Sequence, residues 1–313
     1  MEDGYKRFMD LICDCAVGSR GILYLFGNVV LPNENCIGLY SFMNCYTITG
    51  ISIPDGVSII GLGAFNGCKN LKEIRLPNSV NDIEKGAFYG CSSLKEVSIP
   101  DGIKKIGNSA FDGCISIESI QIPNSVKEIG SCAFRRCGKL QDIYISNRVK
   151  EIRNGTFTGC VRLKTICIPD GVIEIGLGAF NGCGDLQELY IPRSVKVIRE
   201  LAFDGCSSLK EIRIPKHVKV IEYGVFAGCN NLKEIRIPDD VNSIGDSAFE
   251  NCGNLVEIEI PNSVKTIGKN AFKGCEKLKK VTLPKRFKNH IKDIGFANDT
   301  VFFWKECDYI EDI

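Results

Sequence analysis

Among side chains that ordinarily carry catalytic or metal chemistry, the 313-residue chain holds seventeen cysteines but only two histidines. A thiol becomes a nucleophile beside a base, and a zinc ligand in closely paired spacing. Neither pattern is met. His217 stands in a turn after Pro215 and His290 in a C-terminal insertion, so the register suggests no Cys–His dyad. Cys13-x-Cys15 and Cys132-x4-Cys137 lack the spacing of a zinc site. The glycines recur singly as turn residues and build no phosphate loop. Carboxylates also recur by position, so no acid–base pair stands apart from its copies. Cys167 is expected on the surface without a base, as an unreactive thiol. Asn154-Gly155-Thr156 and Asn298-Asp299-Thr300 fit the glycosylation acceptor pattern, at a frequency chance supplies. The residues therefore imply no enzyme, no metal and no cofactor.

What the chain does have is a period. Cys45, Cys68, Cys91, Cys114, Cys137, Cys160, Cys183, Cys206, Cys229, Cys252 and Cys275 follow at a constant interval of 23, each with a phenylalanine three residues before it. Ten of the eleven prolines occupy one position of this repeat, with Ser146 as the exception. A fixed period of this length signals a solenoid, in which coils pack only on their neighbours. Within a coil, residues six and eight after cysteine, such as Ile74 and Leu76, alternate with polar ones as in a strand buried on one face. Proline ends the pairing and Asp-Gly or Asn-Ser turns the chain. A V-x-x-I-G segment then forms a second short strand, and A-F-x-G-C closes the coil as a 3-10 or helical turn. One thiol per coil reads as reduced core packing, although neighbouring coils lie near enough for disulfides.

The predicted organisation is an N-terminal cap over 1–28 (a short helix plus strand), a solenoid over 29–284, and a C-terminal cap with an acidic tail over 285–313. Val29 opens a degenerate coil that is one residue short. Phe296, Val301, Phe302, Phe303 and Trp304, the single tryptophan, are expected to plug the last coil. The net charge is +1 with both signs interspersed, which gives no footprint for nucleic acid or an anionic membrane. No apolar run reaches the roughly 18 residues of a membrane span. The N-terminus does not read as a secretion signal, which with the odd cysteine count favours an intracellular protein.

The run from Asn262-Ser263-Val264 to Leu278 resembles the BspA-like leucine-rich repeats, whose pattern is I-x-I-P-x-S-V-x-x-I-G-x-x-A-F-x-G-C-x-x-L-x-x. The resemblance covers about 29–284. It implies a β-rich, right-handed, curved solenoid of about 11 coils, with a concave parallel sheet and short second strands and 3-10 turns on the convex side. It also implies a surface or secreted adhesion protein. Arg136 replaces a glycine of the pattern, and Arg153, Arg199 and Glu222 replace the turn glycine.

On such a sheet the outward residues lie five and seven places after each cysteine. Tyr144, Cys167 and Tyr190 form a trio there, continued by Arg213 and Arg236, beside a column of Glu188, Glu211, Glu234 and Glu257. Tyrosine and arginine are enriched at interface hot spots. These residues are the expected protein-binding face of a non-enzymatic scaffold. A surface adhesin and a structural spacer without a ligand are the alternatives.

Overall fold

The structure is a computed structural model that describes residues 27–30 and 35–306. The helix expected near the N-terminus, together with Cys13, Cys15 and Cys307, lies outside the described residues. The chain falls into two compact units, one ending at Ser146 and the other beginning at Asn147. Each is a parallel-sheet β-solenoid.

In the first unit, Gly27–Val30, Ile48–Ser52, Glu73–Arg75 and Glu96–Ser98 form one parallel sheet, and Ser119–Gln121 pairs with Asp142–Tyr144. Partners such as Ile51↔Ile74 and Ile74↔Val97 lie 23 residues apart, so the sequence period and the strand register coincide. Only the first strand departs. Asn28 pairs with Gly50 after a bulge, as expected of a coil one residue short. A second sheet joins the two-residue strands Cys36–Ile37, Ile59–Ile60, Asp82–Ile83, Lys105–Ile106 and Glu128–Ile129.

The second unit repeats this plan. Glu188–Leu189, Glu211–Arg213 and Glu234–Arg236 pair in parallel, and Glu257–Glu259 pairs with Lys280–Pro284. Val301–Lys305 then adds a further parallel strand beside Lys280–Pro284. Glu151–Ile152, Glu174–Ile175 and Val197–Ile198 form one second-sheet group. Val220–Ile221, Ser243–Ile244 and Thr266–Ile267 form another.

The reason for each element is visible in its burial. Three-residue strands show an exposed–buried–exposed pattern, so only the middle residue enters the core. Proline follows within two residues, and its carbonyl accepts from the valine three residues on, as in Val80 to Pro77 and Val195 to Pro192. That bond turns the chain toward the second sheet. Glycine at the end of V-x-x-I-G allows close approach: a Cβ on Gly130 would lie 2.4 Å from the Asn108 amide nitrogen.

The A-F-x-G-C element is a run of i→i+3 turns that never propagates into a helix. Gly63 (φ +60) and Gly67 (φ +75) are left-handed and four residues apart. Ala64, Asn66 and Cys68 donate to carbonyls three residues back, while Gly63, Phe65 and Gly67 donate to the next coil. Half of the amides close turns and the other half bind coils together. The first left-handed position was not legible from composition, because Ser109, Cys132, Leu201, Ser247 and Asn270 also occupy it.

Phenylalanine and cysteine fill the interior as two files. Ring centroids of successive phenylalanines lie 5.2–5.5 Å apart from Phe42 to Phe134. From Phe157 to Phe296 they lie 5.0–5.6 Å apart. Cys68, Cys91, Cys114, Cys183, Cys206, Cys229, Cys252 and Cys275 carry free thiols. Cys68, Cys91, Cys114, Cys137, Cys183, Cys206, Cys229, Cys252 and Cys275 each donate to the phenylalanine carbonyl 26 residues earlier, as in Cys68 to Phe42 at 3.0 Å and Cys229 to Phe203 at 3.3 Å. The thiol is thus a small apolar filler whose hydrogen is satisfied, which accounts for cysteine at this position better than packing alone. Burial pushes the Cys183 and Cys229 thiols well up from the ordinary range. Native protein treated with Ellman's reagent and mapped by mass spectrometry should therefore be modified at the exposed Cys36 and Cys167 but not along the file. A file thiol reacting as fast as Cys167 would contradict this packing.

Replacements of the repeat residues carry their own compensation. Arg199, in place of a turn glycine, binds Glu174 at 2.8 Å and Glu222 at 3.5 Å. Glu222 also accepts the Glu200 amide at 2.9 Å. Thr156 replaces the usual alanine, and its buried hydroxyl donates to the Arg153 carbonyl at 2.7 Å. Arg136, in the place of a left-handed glycine, itself has φ +60 and binds Asp112.

At the end of the second unit, Phe296 continues the phenylalanine file and Phe302 meets it edge-on at 5.3 Å. Trp304 is half-buried and stacks on Phe302 at 5.8 Å. Val301 and Phe303 point outward and are exposed. No helix among the described residues is long and apolar enough to cross a membrane.

Candidate functional site

The first sheet of the second unit collects most of the residues marked out by sequence. Cys167 bridges to Tyr190 in parallel register, Glu188 pairs with Glu211, Glu211 with Glu234, and Arg213 with Arg236. All project outward because their strand neighbours Ile166, Leu189, Ile212 and Ile235 are committed to the core. Tyr190 is 60% exposed, the largest outward aromatic of this face. Tyr144 also stands outward, 52% exposed, on the last strand of the first unit. Side chains on this sheet thus form two files two residues apart along the strands, with about 4.8 Å between strands.

The files end in ion pairs. Lys280 binds Glu257 at 3.0 Å, and Lys305 reaches back to Glu259 at 2.6 Å. The Lys305 bond holds the Glu259 carboxyl below its usual range. Glu211, Arg213, Glu234, Arg236, Glu257 and Lys280 line an open groove of about 560 Å³ on this sheet. Its sequence signals were the expected concave sheet and the coincidence of the glutamate and arginine files on it.

His217 and His290 are exposed in loops. Among the described residues no three His, Cys, Asp or Glu side chains are placed to hold a metal ion. The chemistry available is recognition by charge, aromatic contact and hydrogen bonding on a rigid sheet.

Sequence reading also missed one buried charge cluster, in the first unit. Asp112 is fully buried and binds Arg135 at 2.7 Å and Arg136 at 3.0 Å, while Arg136 also reaches the Tyr89 hydroxyl at 3.3 Å. These residues come from three successive coils. The Asp112 bond holds the Arg135 guanidinium above its ordinary value, and the Tyr89 hydroxyl followed by Asp112 does so for Arg136. The signal available was an aspartate in F-x-G-C followed 23 residues later by an arginine. The cluster staples coils together.

Comparison with known proteins agrees with this architecture. The family model for the BspA type leucine rich repeat region matches in six copies over residues 35–99, 81–210 and 196–311. Among solved structures, a leucine-rich repeat protein from Bacteroides ovatus is similar at 29% identity and TM-score 0.55, covering 93% of this chain and 97% of its own. A leucine rich cell surface protein from Faecalibacterium prausnitzii is similar at 26% identity and TM-score 0.52, covering 90% of each chain. The pneumococcal vaccine antigen PcpA shares the fold at 19% identity and TM-score 0.52, over 92% of this chain and 80% of its own. No curated protein matches. With the family model spanning most of the described residues and the 23-residue register reproduced in both units, the chain belongs to the BspA-type leucine-rich repeat family.

Proposed function

We propose that this protein is a non-enzymatic scaffold that binds another protein through the outward faces of its first sheets: Tyr144 in the first unit, and Cys167, Tyr190, Arg213, Arg236, Glu188, Glu211 and Glu234 in the second. The observation that carries this is the Tyr190–Arg213–Arg236 file, exposed on a sheet whose inner residues are packed and whose strands are fixed in register. Such a face is ordered before it meets a partner, so little conformational entropy is lost on binding.

Affinity capture with the intact protein, read by mass spectrometry, tests the reading. Tyr144→Ala/Tyr190→Ala should lose the captured partner, since truncating one hot-spot aromatic costs about 2 kcal/mol, roughly thirtyfold in Kd. Both side chains are outward, so the fold should survive, which circular dichroism checks. Unchanged capture by a folded double variant would remove the basis of the proposal.

A surface role is the second reading. It draws on the similarity to the Faecalibacterium leucine rich cell surface protein. Capture from host-cell extract rather than from the source organism's own extract would favour it.

A further inference from the structure

We propose that Arg213 and Arg236 form a carboxylate clamp, and that the groove's occupant is an extended partner segment carrying an acidic and a basic side chain two residues apart. This rests on the protein-binding reading above and specifies the partner's chemistry.

The two arginines are register partners on adjacent strands, both exposed. Among the described residues neither makes an ion pair or a side-chain hydrogen bond. The nearest acceptor on their own file, Glu259, is taken by Lys305 at 2.6 Å. Glu257 is likewise taken by Lys280. Two like charges therefore sit side by side on strands about 4.8 Å apart, and the carboxylate whose charge acts with that of Arg236, Glu259, is already bound by Lys305. One carboxylate offers two oxygens and about four lone-pair sites, enough to accept from both guanidinium forks at once.

The neighbouring file has the opposite deficit. Glu211 and Glu234 are register partners in the same groove, and neither has a cation within ion-pair distance. A basic side chain would relieve them in the same way. The separation of the files fixes the spacing of the ligand. They lie two residues apart along each strand, roughly 6.6–6.8 Å, and side chains i and i+2 of an extended segment face one way at that same distance. A segment running along the strands thus sets an acidic residue over the arginines and a basic one over the glutamates. Free arginines beside free glutamates in one groove of about 560 Å³ favour this two-signed occupant over a wholly acidic one.

The test uses the full chain and a fluorescein-labelled peptide, Thr-Glu-Thr-Lys-Thr-Glu-Thr-Lys-Thr, against versions with Gln or Lys in place of each Glu. By anisotropy, wild type should prefer the Glu/Lys peptide to the Gln version by about tenfold, as expected for charge-assisted bonds. The preference should shrink as salt is added. Arg213→Gln/Arg236→Gln should abolish it, and Arg213→Glu/Arg236→Glu should transfer it to the all-Lys peptide. Wild type that does not discriminate, including one that binds no peptide, overturns the clamp, as does a Gln variant that keeps the preference. Partner capture separates the two claims. If Tyr144→Ala/Tyr190→Ala strips the partner while the Gln variant alters neither partner nor peptide binding, the clamp falls and the sheet face stands. If no variant affects capture or peptide binding, both fall.

Discussion

Phe203→Ala is expected to destabilise the second unit by about 3–5 kcal/mol. Phe203 is fully buried and lies between Phe180 and Phe226, with ring centroids 5.6 Å away on both sides and planes within 8° of parallel. Truncation removes two stacking contacts, each worth about 0.5–1.5 kcal/mol beyond area burial, and leaves a phenyl-sized void. Collapse cannot fill that void cheaply. The backbone at this point is held from both sides, Phe203 donating to Val225 at 2.9 Å and accepting from the Cys229 thiol at 3.3 Å. Phe296→Ala should cost markedly less, because that ring, although it touches both Phe272 and Phe302, is half-exposed and its loss leaves a gap that water can enter. Urea unfolding followed by circular dichroism gives the comparison, with hydrogen exchange to show whether the loss spreads to neighbouring coils. A loss under about 1 kcal/mol at Phe203 would mean the file is too loose to set the register.

The same residues show why the fold was legible and the site less so. A 23-residue period fixes which side chain meets which, since Ile74, Val97 and their equivalents must stack once the coils do. The outward projection of Tyr190 and Arg213 then follows from strand alternation alone. What a period cannot reveal is which outward charges find partners. Lys305 lies outside the regular repeats, yet it decides that Glu259 is occupied. Long side chains also reach across coils by their own geometry, so a concave sheet was expected from the repeat but the extent of the groove between residues 211 and 282 was not. Left-handed backbone was similarly hidden. Leu201 at φ +56 and Arg136 at φ +60 are residues that no propensity assigns there; the Leu201 amide bonds Tyr223 of the next coil, and the Arg136 side chain bonds Asp112 of the preceding one.

Removing both guanidiniums from the buried carboxylate of the first unit should be as damaging as cutting the phenylalanine file. Arg135→Ala/Arg136→Ala leaves Asp112, fully buried in the native protein, without either of its cationic partners, and breaking a buried pair in this way costs about 3–5 kcal/mol. The reverse deletion is milder. The arginine side chains are 39% and 53% exposed, so after Asp112→Ala they regain water, and the cost falls to roughly that of one lost charged hydrogen bond, about 1.5–3 kcal/mol. Arg136→Gly alone should be milder still. It relieves a left-handed conformation worth about 1–2 kcal/mol while Arg135 keeps both of its bonds to Asp112. Thermal unfolding of the three variants should rank them in that order. Adding Asp112→Ala to the double arginine variant should then recover stability, because the group that cannot tolerate isolation is gone. If Asp112→Ala proves the most destabilising single step, and its addition to the arginine pair makes matters worse, the cluster holds through the guanidinium contacts and the desolvated carboxylate is not its weak member.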